Sequence, residues 1–159
     1  MTDQTQNAQV NPEALTPEQK EAEAKRWTEE EFVKIQKYCL SQGVQPKRVI
    51  QGSSQCLPPA LGIWYVSSTT KNEDYWVISG QLPTDLAPAK IAENGREAIR
   101  YFYMNWQLKA ANIEGQIAEG KFVGETAQTQ KAIADNLTQK AESLYQIYRN
   151  DQLWAEAGL

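Results

Sequence analysis

Apolar residues recur at a helical spacing near the start of the chain, directly after a helix-start signal. In Thr16-Pro17-Glu18-Gln19, threonine is the expected N-cap, proline takes the first helical position and glutamine completes a capping box. The helix that follows carries one apolar stripe and is expected to end at Gly43. The stripe consists of Trp27, Phe32, Ile35 and Cys39.

Two dense apolar runs in the middle of the chain predict neighbouring strands. Leu61 to Ser68 and Tyr75 to Ser79 are rich in β-branched and aromatic residues, and the polar turn from Thr70 to Glu73 between them predicts an antiparallel hairpin. Lys47 to Ser54 predicts a weaker third strand. Leu57-Pro58-Pro59 must interrupt the pairing, because proline cannot donate in a central ladder. The pattern therefore predicts a three-stranded antiparallel meander.

The spacing of apolar residues becomes helical again from Pro88 to about Ile117. Tyr101 lies opposite the apolar face of this helix, whereas Gly95 lies on it, where the missing side chain lets the helix approach the sheet. A further helix is expected from about Thr126 to Tyr148, before an apolar Leu153-Trp154 pair. The apolar face of the first of these helices comprises Ala92, Gly95, Ile99, Phe102, Tyr103, Trp106, Ala110, Ile113 and Ile117.

The order of the elements indicates the fold class. We expect an α+β fold with an N-terminal helix, a three-stranded antiparallel meander and two C-terminal helices packed on the sheet. At 159 residues, one domain over residues 16–159 is expected. Residues 1–15 are polar and aperiodic, which predicts a disordered tail. The lack of βαβ alternation, of GxGxxG and of GxxxxGK[ST] argues against a nucleotide-binding fold.

The absence of histidine removes several kinds of site chemistry. It excludes Ser-His-Asp and Cys-His nucleophiles and His-ligated metals, and Cys39 and Cys56 stand apart from any CxxC framework. An enzyme without these groups would have to use carboxylates, Lys, Tyr or a cofactor. No cofactor is expected, because the chain has neither a nucleotide-binding motif nor the spacing of a metal site. Without a secretory signal or about 20 consecutive apolar residues, the protein is expected in the cytoplasm and not in a membrane.

The charge is unevenly distributed along the chain. Residues 1–31 hold eight acids against three bases, and because the whole chain has a net charge of −4, the remainder carries +1. A nearly neutral body lacks the clustered basic face that a phosphate backbone requires. Nucleic acid is therefore not an expected partner.

The segment YWVISGQLPTDLAP, residues 75–88, joins the last strand to the long helix. Ser79-Gly80 is interpreted as a strand exit, and Thr84 or Asp85 as the N-cap of a helix that begins near Pro88. The alternative is a small-anion site beside a helix N-terminus, although Asp85 would itself occupy the free amides. The structural interpretation is preferred. The candidate binding loop comprises Ser79, Gly80, Thr84 and Asp85, with Arg96 on the helix that follows.

Part of the same segment has the pattern W-x-I-S-G-x-L-P-T-D, from Trp76 to Asp85. With three further stretches it resembles an uncharacterised bacterial family, known only as a domain of unknown function with single-domain members of about this length. That family often has an acidic residue where Gln81 stands, so this chain lacks the carboxylate that could pair with Asp85. The resemblance implies no activity and no catalytic residues. The further stretches are residues 56–66, 95–113 and 141–154.

These absences favour a small cytoplasmic protein that acts by binding, with another protein as the expected partner. A toxin-neutralising immunity protein is a second hypothesis, because such proteins are often small and acidic. A third is a cofactor-free enzyme or small-anion-binding protein that uses Ser79, Asp85 and Arg96. A deep pocket at the 79–85 loop would favour the enzyme, whereas a flat apolar patch would favour the interaction protein. The oligomeric state stays open.

Overall fold

The first helix begins at the predicted signal. In the computed structural model, which describes residues 14–158, helix α1 spans Pro17–Ser41. The Gln19 N–H donates to the Thr16 hydroxyl at 3.1 Å, and the Thr16 N–H donates to the Gln19 side chain at 2.9 Å. Gly43 follows the helix with a φ of +77°, the left-handed conformation expected of a C′ glycine. The predicted tail lies outside the described residues, apart from residues 14 and 15.

The sheet has five antiparallel strands, two more than the sequence predicted. β3 pairs with β4 along most of its length, and its other edge is shared by β1 and β2. β5 pairs with the outer side of β4 and forms the opposite edge of the sheet. The strands are β1 Pro46–Val49, β2 Gln55–Leu57, β3 Leu61–Ser68, β4 Asp74–Gly80 and β5 Asp85–Pro88.

The predicted hairpin forms between β3 and β4. Its five-residue loop contains Lys71 and Asn72, whose φ angles of 55° and 51° turn the chain in the direction that suits the twist of the strands. The two unpredicted strands are only three and four residues long. A segment this short shows no alternation of its own and becomes a strand only because a neighbouring backbone offers hydrogen bonds.

Helices cover both faces of the sheet. Helix α1 lies on one face, and α2 (Gly95–Ala118), α3 (Gly124–Tyr148) and α4 (Asp151–Glu156) lie on the other. The α+β class and the packing of the two long C-terminal helices on the sheet are therefore confirmed. Because both faces are covered, β4 reads as a continuous apolar run: Tyr75 and Val77 pack against α1, whereas Trp76 and Ile78 pack against the C-terminal helices.

The start of α2 differs from the sequence prediction. The helix begins at Gly95, not near Pro88, and its N-cap is Asn94, whose side-chain oxygen accepts from the Glu97 N–H at 3.0 Å. Residues 85–88 instead form β5, and a single 3₁₀ turn, Ala89–Ile91, follows. The predicted close approach at Gly95 is confirmed, because a Cβ atom there would lie 3.1 Å from the side chain of Ile63.

Candidate functional site

Ser79 and Gly80, the first half of the candidate loop, are committed to the fold. The Ser79 hydroxyl is completely buried and accepts a hydrogen bond from the indole N–H of Trp64 at 2.8 Å. Gly80 has a φ of +116°, and a Cβ atom there would collide with the carbonyl oxygen of Ala60. This geometry gives both residues a structural reason to be present and leaves the Ser79 hydroxyl inaccessible to a ligand.

Asp85 was predicted to cap a helix, and that prediction is wrong. The residue opens β5 and pairs with Ile78 across the sheet. The error has a simple cause: an aspartate before Leu-Ala-Pro looks like a helix cap locally, but the backbone of β4 recruits the segment as a strand. Thr84, the other proposed cap, is half-buried and immediately precedes this strand.

The Asp85 carboxylate ties helices α1 and α2 to the edge of the sheet. It accepts hydrogen bonds from the Leu86 N–H at 2.8 Å and from the Trp106 indole N–H of α2 at 3.0 Å. The Tyr38 hydroxyl of α1 lies 3.5 Å away, and the Lys109 Nζ atom of α2 lies 3.8 Å away. We refer to Asp85, Tyr38, Trp106 and Lys109 as the Asp85 cluster. Its carboxylate oxygens are occupied by donors from three elements.

The electrostatics of the Asp85 cluster oppose acid–base chemistry at Tyr38. Burial and, after it, the negative charge of Asp85 raise the pKa of the Tyr38 hydroxyl above its usual value of 10.0. A general base that works at neutral pH requires a pKa shifted in the other direction. The phenol therefore stays protonated and faces Asp85 as a donor.

Arg96 acts at a different place in the fold. Its guanidinium donates to the Tyr148 carbonyl oxygen at 3.0 and 3.2 Å and to the Asp151 carboxylate at 2.6 Å. It also lies over the ring of Trp154, 5.8 Å from the centroid. Within residues 14–158, Arg96 joins the end of α3 to the start of α4 and forms no hydrogen bond to the 79–85 loop.

A buried carboxylate beside this loop escaped the sequence analysis. The side chain of Glu31 on α1 is only 7% exposed, and one of its oxygens pairs with the Lys34 Nζ atom at 2.8 Å. Its other oxygen is buried without a partner among the described residues, which carries a desolvation cost. Lys34 also donates to the Gly80 carbonyl oxygen at 3.3 Å. A signal was present, because Glu31 is four residues from both Trp27 and Ile35 and therefore interrupts their apolar stripe.

The cavities of the described chain lie mainly away from the candidate loop. A depression of about 170 Å³ reaches Gln81 and Leu82, but Ser79, Gly80 and Asp85 do not line it.

An open groove of about 570 Å³ separates Trp27 from the Pro58-Pro59 turn. A narrower cleft of about 230 Å³, here named the α1–β1 cleft, lies between those two elements. The deep pocket that would favour an enzyme is thus not present at the candidate residues in the described structure.

The outer face of α2 carries a line of exposed apolar side chains. Tyr101, Met104 and Leu108 are 38%, 49% and 59% exposed, and we refer to them as the α2 outer stripe. Their spacing of three and four residues puts them on one side of the helix, opposite the buried Phe102 and Trp106. The sequence analysis singled out Tyr101 alone, because it looked for the face that packs on the sheet.

Comparison with protein families identifies the chain. Its residues 21–154 match a family described as a domain of unknown function, DUF4826. The chain belongs to the DUF4826 family. The expected resemblance to an uncharacterised domain family is therefore confirmed, and the matched range contains all four stretches that carried it. Searches of curated proteins and of solved structures find no significant match to this DUF4826 chain.

Two further structural observations limit the kinds of site. Among residues 14–158, no three His, Cys, Asp or Glu side chains are grouped as a metal ion requires. No helix in the same part of the chain combines the length and apolar character needed to cross a membrane.

Proposed function

We propose that this DUF4826 protein is a non-catalytic binding module and that another protein docks on the α2 outer stripe. The single observation that carries the proposal is the exposure of three large apolar side chains in one line on a helix whose opposite face is already buried. Single exposed apolar residues are common, but a continuous apolar line on one helix is typical of an interaction face.

The shape of the stripe favours an amphipathic helix as the docking segment of the partner. Tyr101 and Leu108 are seven residues apart, so the stripe is about 10 Å long and one side chain wide. A second helix can lay its own apolar stripe along such a ridge, with side chains three and four residues apart as anchors. Asn105, Ala111 and Asn112 flank the stripe on α2. The nearest charges are those of Glu97 and Arg100, one turn before Tyr101 and Met104, and they form an ion pair with each other, so this end of the stripe has no net charge.

The size of the stripe favours a partner over self-association. Stable protein complexes typically bury about 800 Å² on each side, far more than three side chains supply. A second copy meeting this stripe alone would therefore form a weak dimer at most. A partner that covers the stripe and also contacts neighbouring polar surface meets the requirement.

The hydrogen bonds of the candidate site residues support a non-catalytic role. The Ser79 hydroxyl is committed to Trp64, the Asp85 carboxylate to Leu86 and Trp106, and the Arg96 guanidinium to Tyr148 and Asp151. The immunity-protein hypothesis is a special case of this proposal, and the cytoplasmic location and the exclusion of nucleic acid stay predictions.

The test compares two doubly substituted proteins. Met104→Ser/Leu108→Ser removes the two most exposed residues of the stripe, and Val33→Ser/Leu40→Ser is the matched control, because Val33 and Leu40 are similarly exposed on α1. Thermal unfolding of both variants first verifies that they remain folded. The wild-type protein and both variants are then used as baits in extracts of native cells, with quantitative mass spectrometry.

The expected result is a partner retained by the wild type and the control but lost with the stripe variant. Titration of the purified partner, and of its helical segment alone, must reproduce that difference. Equal binding by the stripe variant would overturn the proposal, as would a partner that the control variant also loses. Concentration-dependent dimerisation by sedimentation, abolished by the stripe variant, would replace the partner with a second copy.

A further inference from the structure

The α1–β1 cleft has an apolar floor. Ile35 and Cys39 of α1 and Val66 of β3 line it and are buried, whereas Phe32 and Val49 line it and are half-buried. Burial raises the pKa of the Cys39 thiol, so the sulfur behaves as a small apolar group at neutral pH. The interior of the cleft therefore suits a hydrocarbon or aromatic group.

The rim of the same cleft is cationic. Lys47 and Arg48 of β1 line it together with Gln36, and none of the lining residues is an acid. Neither Lys47 nor Arg48 forms an ion pair with another residue in the described range. The pairing of β1 with β3 skips Lys47, since Pro46 pairs with Ser68 and Arg48 with Ser67. A bulge of this kind frees a side chain from the ladder and redirects it.

We propose that the α1–β1 cleft binds a small amphipathic carboxylate, with its apolar chain on the floor and its anionic head at Lys47 and Arg48. Charge complementarity favours an anionic head group such as a carboxylate, because the lining of the cleft has two cations and no acid. The cleft has a volume of about 230 Å³, which favours a small ligand, since pockets for drug-sized molecules begin at about 300 Å³. An inorganic anion would leave the floor exposed to water, and a neutral hydrocarbon would leave the rim unused.

This inference is independent of the proposed protein-binding function. The cleft lies on the α1 side of the sheet, whereas the α2 outer stripe belongs to the helices on the other side. The cleft can therefore fail its test without affecting the stripe, and the reverse holds as well.

Calorimetric titration of the full chain with three probes tests the inference. Octanoate carries both features, 1-octanol carries the chain without the charge, and inorganic phosphate carries charge without a chain. We expect saturable octanoate binding, about tenfold weaker binding of 1-octanol, corresponding to about 1.4 kcal/mol, and no phosphate binding.

Three variants at exposed positions locate the site. Lys47→Gln/Arg48→Gln should weaken octanoate binding about tenfold and leave 1-octanol binding unchanged, because only the head group loses its partners. Gln36→Trp should block both ligands by filling the cleft from its rim. Lys37→Gln is the matched charge control, because Lys37 lies on α1 next to Gln36 but does not line the cleft. This variant should bind octanoate like the wild type.

Each other outcome overturns the inference. Absence of octanoate binding at millimolar concentration would show that the cleft is not a ligand site. Equal binding of octanoate and 1-octanol, or an effect of Lys37→Gln equal to that of the double substitution, would remove the assigned role of Lys47 and Arg48. Phosphate binding as tight as that of octanoate would remove the role of the apolar floor.

Discussion

Asp85→Asn tests whether the Asp85 carboxylate holds the edge of the sheet between helices α1 and α2. The aspartate accepts from two N–H donors, those of Leu86 and of the Trp106 indole, at 2.8 and 3.0 Å. Asparagine has one acceptor oxygen and one donor group in the same volume. One of the two N–H groups would therefore face another donor and lose its hydrogen bond.

The size of the effect follows from burial. The Asp85 side chain is only 16% exposed, so water replaces the lost partner incompletely. An unsatisfied donor in such a place costs about 1–3 kcal/mol. The loss of the Lys109 contact at 3.8 Å adds less than about 1 kcal/mol, because that lysine is half-exposed. We expect Asp85→Asn to lower the free energy of unfolding by about 2–3 kcal/mol.

A double-mutant cycle with Trp106→Phe isolates the contact between the carboxylate and the indole. Phenylalanine keeps an aromatic ring in the core but removes the N–H, so the two substitutions should couple by about 1–2 kcal/mol in urea unfolding. Lys109→Gln serves as the control for charge alone and should cost less than about 1 kcal/mol. Additivity of the two substitutions within about 0.3 kcal/mol would refute the contact between Asp85 and Trp106 as a stabilising one. An Asp85→Asn protein as stable as the wild type would do the same.

Three further substitutions test other contacts of the fold. Glu31→Leu should leave the urea midpoint unchanged or raise it, because it removes a buried carboxylate oxygen without a described partner, and a lower midpoint would contradict this. Gly80→Ala should cost about 2 kcal/mol or more in the same assay, because of its positive φ and the Ala60 carbonyl, whereas a neutral effect would reject the required glycine. The free energy of unfolding should fall as pH rises above about 10, because the native state keeps the Tyr38 proton that the unfolded chain releases. Tyr38→Phe should make this fall shallower. A variant with the same pH profile as the wild type would contradict the role of Tyr38.

The sequence by itself determined the elements whose signals are local. The capping pair of Thr16 and Gln19 starts α1, because both hydrogen bonds join residues three positions apart. The hairpin of β3 and β4 follows from two apolar runs joined by a short polar turn. The helical period between Gly95 and Ala118 identified the buried face of α2 for the same reason, since neighbouring turns of one helix fix which residues share a side.

Only the tertiary structure decided what the residues between these elements do. β5 exists because β4 offers it a partner, and its four residues have no period from which a strand could be inferred. Asp85 and Arg96 looked like members of one site, but hydrogen bonds to residues 21 and 52 positions away assign them to different ends of the fold. In the sequence Glu31 was only one of the eight acids of residues 1–31, whereas the packing of α1 buries it. In each case the deciding contact joins distant parts of the chain, and no local pattern encodes the partner that folding brings close.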